Sequence, residues 1–119
     1  TLEALSLRRG RRVVLFQPHR YSRTKLLAGR FGPAFAKAHR VYVMDIYAAG
    51  ERALPGVSRE LILRSLRRAG VACVPFVSAL ETAGDLRPGD VVLTLGAGDV
   101  WKVGMDLLRR FQARLRSPV

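Results

Sequence analysis

The sequence predicts an α/β fold, a doubly wound and mostly parallel sheet with helices on both faces. Three observations lead there. Four short apolar runs, at residues 13–16, 41–44, 71–76 and 91–95, are separated by segments with helical spacing. No hairpin turn signal joins any two of them. The first run, Val13-Val14-Leu15-Phe16, is apolar on both faces, as suits a parallel strand covered by helices on either side.

Each element has its own reason. Residues 2–9 read as the tail of a helix closed by Gly10, a good residue just past a helix end. Residues 12–16 form the first strand. A helix follows from Ser22 or Thr24 to Ala38, with Leu27, Phe31, Phe35 and Ala38 on one face. Gly29 and Gly32 weaken it, and Pro33 removes an interior hydrogen bond, so a kink or break is expected at Pro33. The second strand, residues 41–44, runs out at Asp45-Ile46-Tyr47. The connection over residues 48–57 is long for an α/β unit, and long ordered loops tend to be functional. Ser58 is a candidate N-cap for a helix whose Leu61, Ile62, Leu66 and Ala69 face the core. Arg59, Arg64, Arg67 and Arg68 are expected mostly on its wet side. The third strand is expected over residues 71–76. Ser78-Ala79-Leu80-Glu81 has capping-box spacing and opens a short helix. After the turn Arg87-Pro88-Gly89-Asp90 and the fourth strand, Gly96-Ala97-Gly98 leads into a last helix. Its Val100, Val103, Leu107, Phe111 and Leu115 repeat at helical spacing.

Composition narrows the function classes. The 119 residues suffice for one domain with a real core, and 49% hydrophobic residues fit a globular protein. No apolar run approaches the ~20 residues that span a bilayer, so no membrane role is expected. The N-terminus carries neither a signal-peptide apolar region nor an initiator Met and reads as a cut point. One cysteine, Cys73, excludes an internal disulfide and a multi-cysteine metal site; in its apolar run it is expected to be a small buried hydrophobe. The formal charge of +12 invites a nucleic-acid or polyanion partner. It is uneven, however. Residues 1–40 carry ten basic groups and one acid, and the cluster Arg8-Arg9-Gly10-Arg11-Arg12 has no aromatic interleaving. A nucleic-acid-binding module is therefore the lesser reading.

Three polar clusters fall at carboxyl ends of strands: His19-Arg20-Tyr21 after the first, Asp45, Tyr47 and Glu51 after the second, and Gly96, Gly98 and Asp99 after the fourth. Parallel strands bring all three to one edge, where ligands of such sheets collect. The guanidiniums of Arg20 and Arg23 suit a carboxylate or phosphate. Gly96-Ala97-Gly98 begins like a dinucleotide fingerprint but lacks the third glycine; two glycines allowing a tight turn is the safer reading. Asp99 reads as a cap for the last helix, Lys102 stands one turn into it, and His39 reads as structural. No metal-ligand spacing and no phosphate-binding P-loop is present, so by itself this looks like part of a site.

The stretches Phe16-Gln17-Pro18-His19-Arg20-Tyr21-Ser22-Arg23-Thr24, Asp45-Ile46-Tyr47-Ala48-Ala49-Gly50-Glu51 with Pro55-Gly56, and Gly96-Ala97-Gly98-Asp99 closely resemble the C-terminal domain of the Mur ligases, collinearly over residues 11–110. The resemblance implies a Rossmann-like domain of a bacterial cytoplasmic enzyme with three domains. The N-terminal and central ATPase domains lie outside this chain, and the centre is completed there, so no catalytic residue is assigned here. It implies ATP and Mg²⁺, bound mainly by the central domain, and phosphorylation of the lactyl carboxylate of UDP-N-acetylmuramate. The amine of L-alanine then attacks the acyl phosphate. By this resemblance His19, Arg20 and Arg23 meet the alanine carboxylate and the anionic centre; Tyr21, Asp45, Tyr47, Glu51, Gly96, Gly98 and Asp99 lie along the nucleotide and substrate edge. A family member with another amino-acid or peptide acceptor is the alternative. The stretch that introduces this domain in the family is absent, which by the resemblance costs a strand and is expected to leave a sheet edge exposed or to promote self-association. The isolated domain is expected to be inactive.

Overall fold

Alternation decides which way each strand faces. In the computed structural model, which describes residues 10–96 and 98–116, β1 (Arg12–Gln17) sends Val14 and Phe16 to one side of the sheet and Val13 and Leu15 to the other. It is central because both its faces are apolar. It pairs in parallel with β2 (Arg40–Val43) on one side and β4 (Val91–Gly96) on the other. The third strand, β3 (Cys73–Pro75), adds to the far side of β2, giving the order β3-β2-β1-β4, all parallel. The expected doubly wound sheet is therefore present, with β3 and β4 at its edges.

Helices cover both faces. After β1 come α1 (Tyr21–Leu27), one 3-10 turn over Ala28–Arg30, and a single α turn, α2 (Phe31–Ala34). The next helix, α3 (Arg59–Arg68), packs Ile62, Leu63 and Leu66 with Val14, Phe35, Val41, Val43 and Val71 on one face. On the opposite face α4 (Ala79–Asp85) and α5 (Val100–Arg116) pack Ala83, Val100 and Leu107 against Val13, Leu15 and Tyr42. Each fully buried aliphatic side chain of this kind contributes about 1.5–3 kcal/mol.

Several expectations need correction. The helix after β1 does not run to Ala38 with a kink at Pro33; its α geometry gives way at Ala28, five residues earlier. The reason is tertiary. Gly32 donates its N–H to the Ser65 hydroxyl (3.1 Å), and a methyl on Gly32 would lie 2.7 Å from the Ser65 carbonyl oxygen, so the chain must turn to bring bare backbone against α3. The strand expected over 71–76 is regular only over Cys73–Pro75, because β2 offers just Val41–Val43 to pair with. Arg59 does not lie on the wet side of α3. Its guanidinium donates to the carbonyls of Val43 (3.2 Å) and Phe76 (3.1 Å), tying together the chain leaving β2 and β3.

The core face of α3 also differs: Ala69 is exposed, Leu63 is fully buried in its place, and Cys73, expected to be buried, is only partly so. The caps and His39 are as expected. Ser58 and Ser78 cap their helices, accepting from the N–H groups of Glu60 (3.2 Å) and Glu81 (3.1 Å). His39 is structural: its Nδ1 accepts from the Arg12 N–H at 2.8 Å, and its own N–H donates to the Arg12 carbonyl. The Cys73 thiol lies toward the Leu63 carbonyl; burial pushes the thiol up from its ordinary range. The helix expected over residues 2–9 lies outside the described residues. At the amino edge of the sheet Arg11 forks onto Asp90 (2.8 and 3.3 Å), and Asp90 also accepts the Arg87 N–H (2.9 Å). Burial disfavours charge on Asp90, yet these donors outweigh it and hold the carboxyl below its usual range.

Candidate functional site at the carboxyl edge

The strands end together at Gln17, Val43, Pro75 and Gly96, and the chain leaving β1 makes a tight turn there. Its shape is fixed by backbone bonds to the loop after β2. The Arg20 N–H donates to the Tyr47 carbonyl (2.8 Å), and the Tyr47 N–H donates to the Pro18 carbonyl (2.8 Å). The His19 and Tyr47 rings stack, with centroids 6.0 Å apart and planes 15° from parallel. Arg20 itself stands at φ 65°, ψ 146°, close to a region that glycine alone adopts readily and that costs a residue with a Cβ about 1–3 kcal/mol. Its carbonyl takes two donors from Thr24, the N–H at 3.1 Å and the hydroxyl at 2.7 Å.

Arg20 sits just before α1 and gives that helix no side-chain cap. The cap comes from Glu51, thirty residues on. One Glu51 oxygen accepts the N–H groups of Tyr21 (2.7 Å) and Ser22 (3.2 Å), and the other accepts the Ser22 hydroxyl (2.5 Å). The Ser22 hydroxyl and N–H together hold the Glu51 carboxyl below its ordinary range. A negative charge belongs at a helix start. This assigns Glu51 a structural task, with its acceptor oxygens committed to the chain.

The sequence-predicted residues divide into two groups. His19, Arg20, Tyr21, Arg23, Tyr47, Glu51, Gly96 and Gly98 come together. A methyl on Gly98 would lie 3.3 Å from the Gln17 side-chain oxygen and 3.4 Å from the Tyr47 ring, and Gly96 pairs with Gln17 across the sheet. Asp45 instead faces Arg59 across 3.3 Å, and Asp99 faces Lys102 within the first turn of α5 at 3.5 Å. Both acids are largely exposed, so these pairs are worth little.

Two clefts share His19 and Arg23. One, of about 390 Å³, has an apolar floor of Phe16, Leu27 and Phe31 with Gln17, His19, Arg23 and Gly96 at its walls. The other is a shallower depression over His19, Arg20, Ser22, Arg23 and Leu26. Among the described residues neither the Arg20 nor the Arg23 guanidinium makes an ion pair or a hydrogen bond. Two guanidiniums without a direct partner beside an imidazole, Arg20 lying near enough to Glu51 to favour its charge, make a receptor for a small anion. Among the described residues no group of three His, Cys, Asp or Glu side chains is placed to hold a metal ion.

Sequence reasoning missed Gln17 as a distinct wall of the cleft, Glu51 as a cap and Arg59 as a clamp. Only Gln17 carried a signal, its position as the last residue of an apolar strand.

No family model matches the chain. Its sequence is 53% identical over 98 residues to UDP-N-acetylmuramate–L-alanine ligase of Endomicrobium trichonymphae, a match over 82% of this chain and 22% of that protein. It is 41% identical over 118 residues to the ligase of the same name from Pelotomaculum thermopropionicum, covering 94% of this chain and 26% of the relative. Its fold superposes on the crystal structure of UDP-N-acetylmuramate–alanine ligase from Thermotoga maritima with a TM-score of 0.63 and 26% identity, over 89% of this chain and 21% of that one. The chain thus spans about a quarter of the length of the relatives it matches. By sequence and by fold, the chain is homologous to a segment of the UDP-N-acetylmuramate–L-alanine ligases.

Proposed function

We propose that this chain is the C-terminal domain of an ATP-dependent UDP-N-acetylmuramate–L-alanine ligase, a cytoplasmic enzyme of bacterial peptidoglycan precursor synthesis. The observation that carries the reading is the pair of guanidiniums without a direct partner, Arg20 and Arg23, beside His19 at the carboxyl edge of a sheet homologous to part of such ligases. A carboxylate–amine ligation through an acyl phosphate gathers negative charge: the amino-acid carboxylate, the transferring phosphoryl group and the tetrahedral intermediate. Fixed cations in a site that closes against water stabilise each of these.

In this reading His19, Arg20 and Arg23 orient the carboxylate of L-alanine so that its amine points at the reacting carbonyl. Tyr47 holds the His19 ring by stacking, and Glu51 fixes the start of α1, which carries Arg23. ATP with Mg²⁺ supplies the phosphoryl group that activates the lactyl carboxylate of UDP-N-acetylmuramate. Of the acids near this edge, Glu51 holds the start of α1, Asp45 faces Arg59 and Asp99 faces Lys102. The N-terminal and central domains of the enzyme would bring the sugar nucleotide and the ATPase machinery to this edge. Among the described residues no helix is long and apolar enough to cross a membrane.

The test uses the intact gene product that contains this chain. Phosphate release from ATP should require both UDP-N-acetylmuramate and L-alanine, and the 119-residue chain alone should release none. Release with the same efficiency on another amino acid would reassign the acceptor, and no amino-acid-dependent release at all would sink the reading.

A further inference from the structure

Several acceptors that shape this edge have donors within the chain. The carbonyls of Phe16, Pro18, Arg20 and Tyr47 accept from Met44, Tyr47, Thr24 and Arg20. The Glu51 oxygens hold the start of α1, and Asp45 faces Arg59. One is different. The side-chain oxygen of Gln17 is buried without a donor, alone in this among the side chains of the described residues. It lies under Gly98 beside Tyr47, while the residue as a whole is only partly buried and forms a wall of the cleft that holds His19 and Arg23. A buried carbonyl oxygen without a donor is unfavourable. The terminal torsion of a glutamine is broad and two-fold, and a half-turn exchanges oxygen and nitrogen while keeping the group's shape. That half-turn brings the oxygen to the cleft side of the same amide.

We propose that Gln17 receives the amino group of the acceptor amino acid. The inference rests on the ligase reading above and deepens it. The three cationic groups account for a carboxylate and leave the other end of the molecule, a nitrogen with hydrogens to donate, needing an acceptor a few ångströms away. Gln17 shares the cleft with His19 and Arg23, and turning its amide exchanges the buried, donor-less oxygen for the end of the group that is not buried. A neutral acceptor also suits the chemistry. The nucleophile must be the uncharged amine, and a carboxylate beside it would favour the unreactive ammonium. A carboxamide orients the amine through a hydrogen bond without adding that bias.

The test compares two probes on the intact enzyme, L-alanine as substrate and propionate as inhibitor. Propionate keeps the carboxylate and methyl-bearing carbon of alanine but has no amine. Gln17→Met keeps the side-chain length and removes the acceptor. It should raise the KM for L-alanine about tenfold or more, leave the KM for ATP within twofold, and leave inhibition by propionate unchanged. Gln17→Asn, which withdraws the carboxamide by one methylene, should give the same split and serves if the Met variant does not fold. An unchanged KM for L-alanine, or equal weakening of alanine and propionate, overturns the assignment. Wild-type enzyme with no amino-acid-dependent phosphate release would instead refute the ligase reading itself.

Discussion

Replacing Gly96 by alanine asks how tightly the end of β4 is bound to the site. Gly96 stands at φ 131°, which L side chains rarely adopt, and its partner in the sheet is Gln17. A methyl group there would fall far inside van der Waals contact of the Gln17 carbonyl oxygen, 3.1 Å from its carbonyl carbon and 3.2 Å from its Cβ. Neither side yields easily, because both are strand backbone. The backbone strain costs about 1–3 kcal/mol. Overpacking against a fixed neighbour adds about 1–3 kcal/mol. Gly50 supplies the control, since it also has positive φ, at 88°, with nothing within 4 Å of an added methyl. Gly50→Ala should therefore show the strain alone and Gly96→Ala strain plus overpacking, about 2–6 kcal/mol in all. For a domain of this size each kcal/mol moves the melting temperature by about 4 °C. Urea and thermal unfolding of the two variants measure the gap. Equal stability of the two would refute the claim that β1 and β4 are held this close at Gln17.

In the intact enzyme Arg20→Ala should lower kcat/KM for L-alanine about 10–100-fold while the chain still folds, the loss of one charge-assisted contact; near-normal kinetics would remove Arg20 from the site. Glu51→Gln should loosen the start of α1. Because the folded Glu51 carboxyl lies below its ordinary 4.5, its stabilisation is present above that pH and is lost as pH falls through the folded value, so the variant should flatten the acid limb of the stability profile. Hydrogen exchange at the Tyr21 and Ser22 amides would report the loosening directly, and unchanged exchange would count against the cap. Asp90→Asn should destabilise the chain by about 1.5–3 kcal/mol at neutral pH by weakening the fork from Arg11. Asp90 is also held below its ordinary 3.8, so the deficit should vanish as pH falls through the folded value and Asp90 protonates in the parent chain. It sits at the amino edge, so alanine kinetics should stay unchanged.

Periodicity read the sheet well because its information is local. Val13 and Leu15 against Val14 and Phe16, and the spacing of Val100, Val103, Leu107 and Phe111, each lie within one element. What failed was decided by distant partners. The early break after Leu27 falls beside Gly29, a weak point in the helix, but what turns the chain there is Gly32 meeting Ser65, thirty-three residues away. Arg59 looked solvated by its place on a charged helix, but the carbonyls it holds belong to residues 43 and 76. Glu51 was grouped with the site by position alone; its role as a cap across thirty residues needed coordinates. The charged turn itself was legible, because a polar cluster after a buried parallel strand has one place to go.

Arg20 carries a consequence for anyone altering this protein. At φ 65° glycine would be easier on the backbone, yet the position holds a long cation with no partner among the described residues. A library sorted only for thermal resistance should enrich glycine at position 20, and a library sorted for ligation should restore arginine. The two selections should pull apart at a single backbone torsion, and if both leave position 20 unchanged the binding role proposed for Arg20 falls.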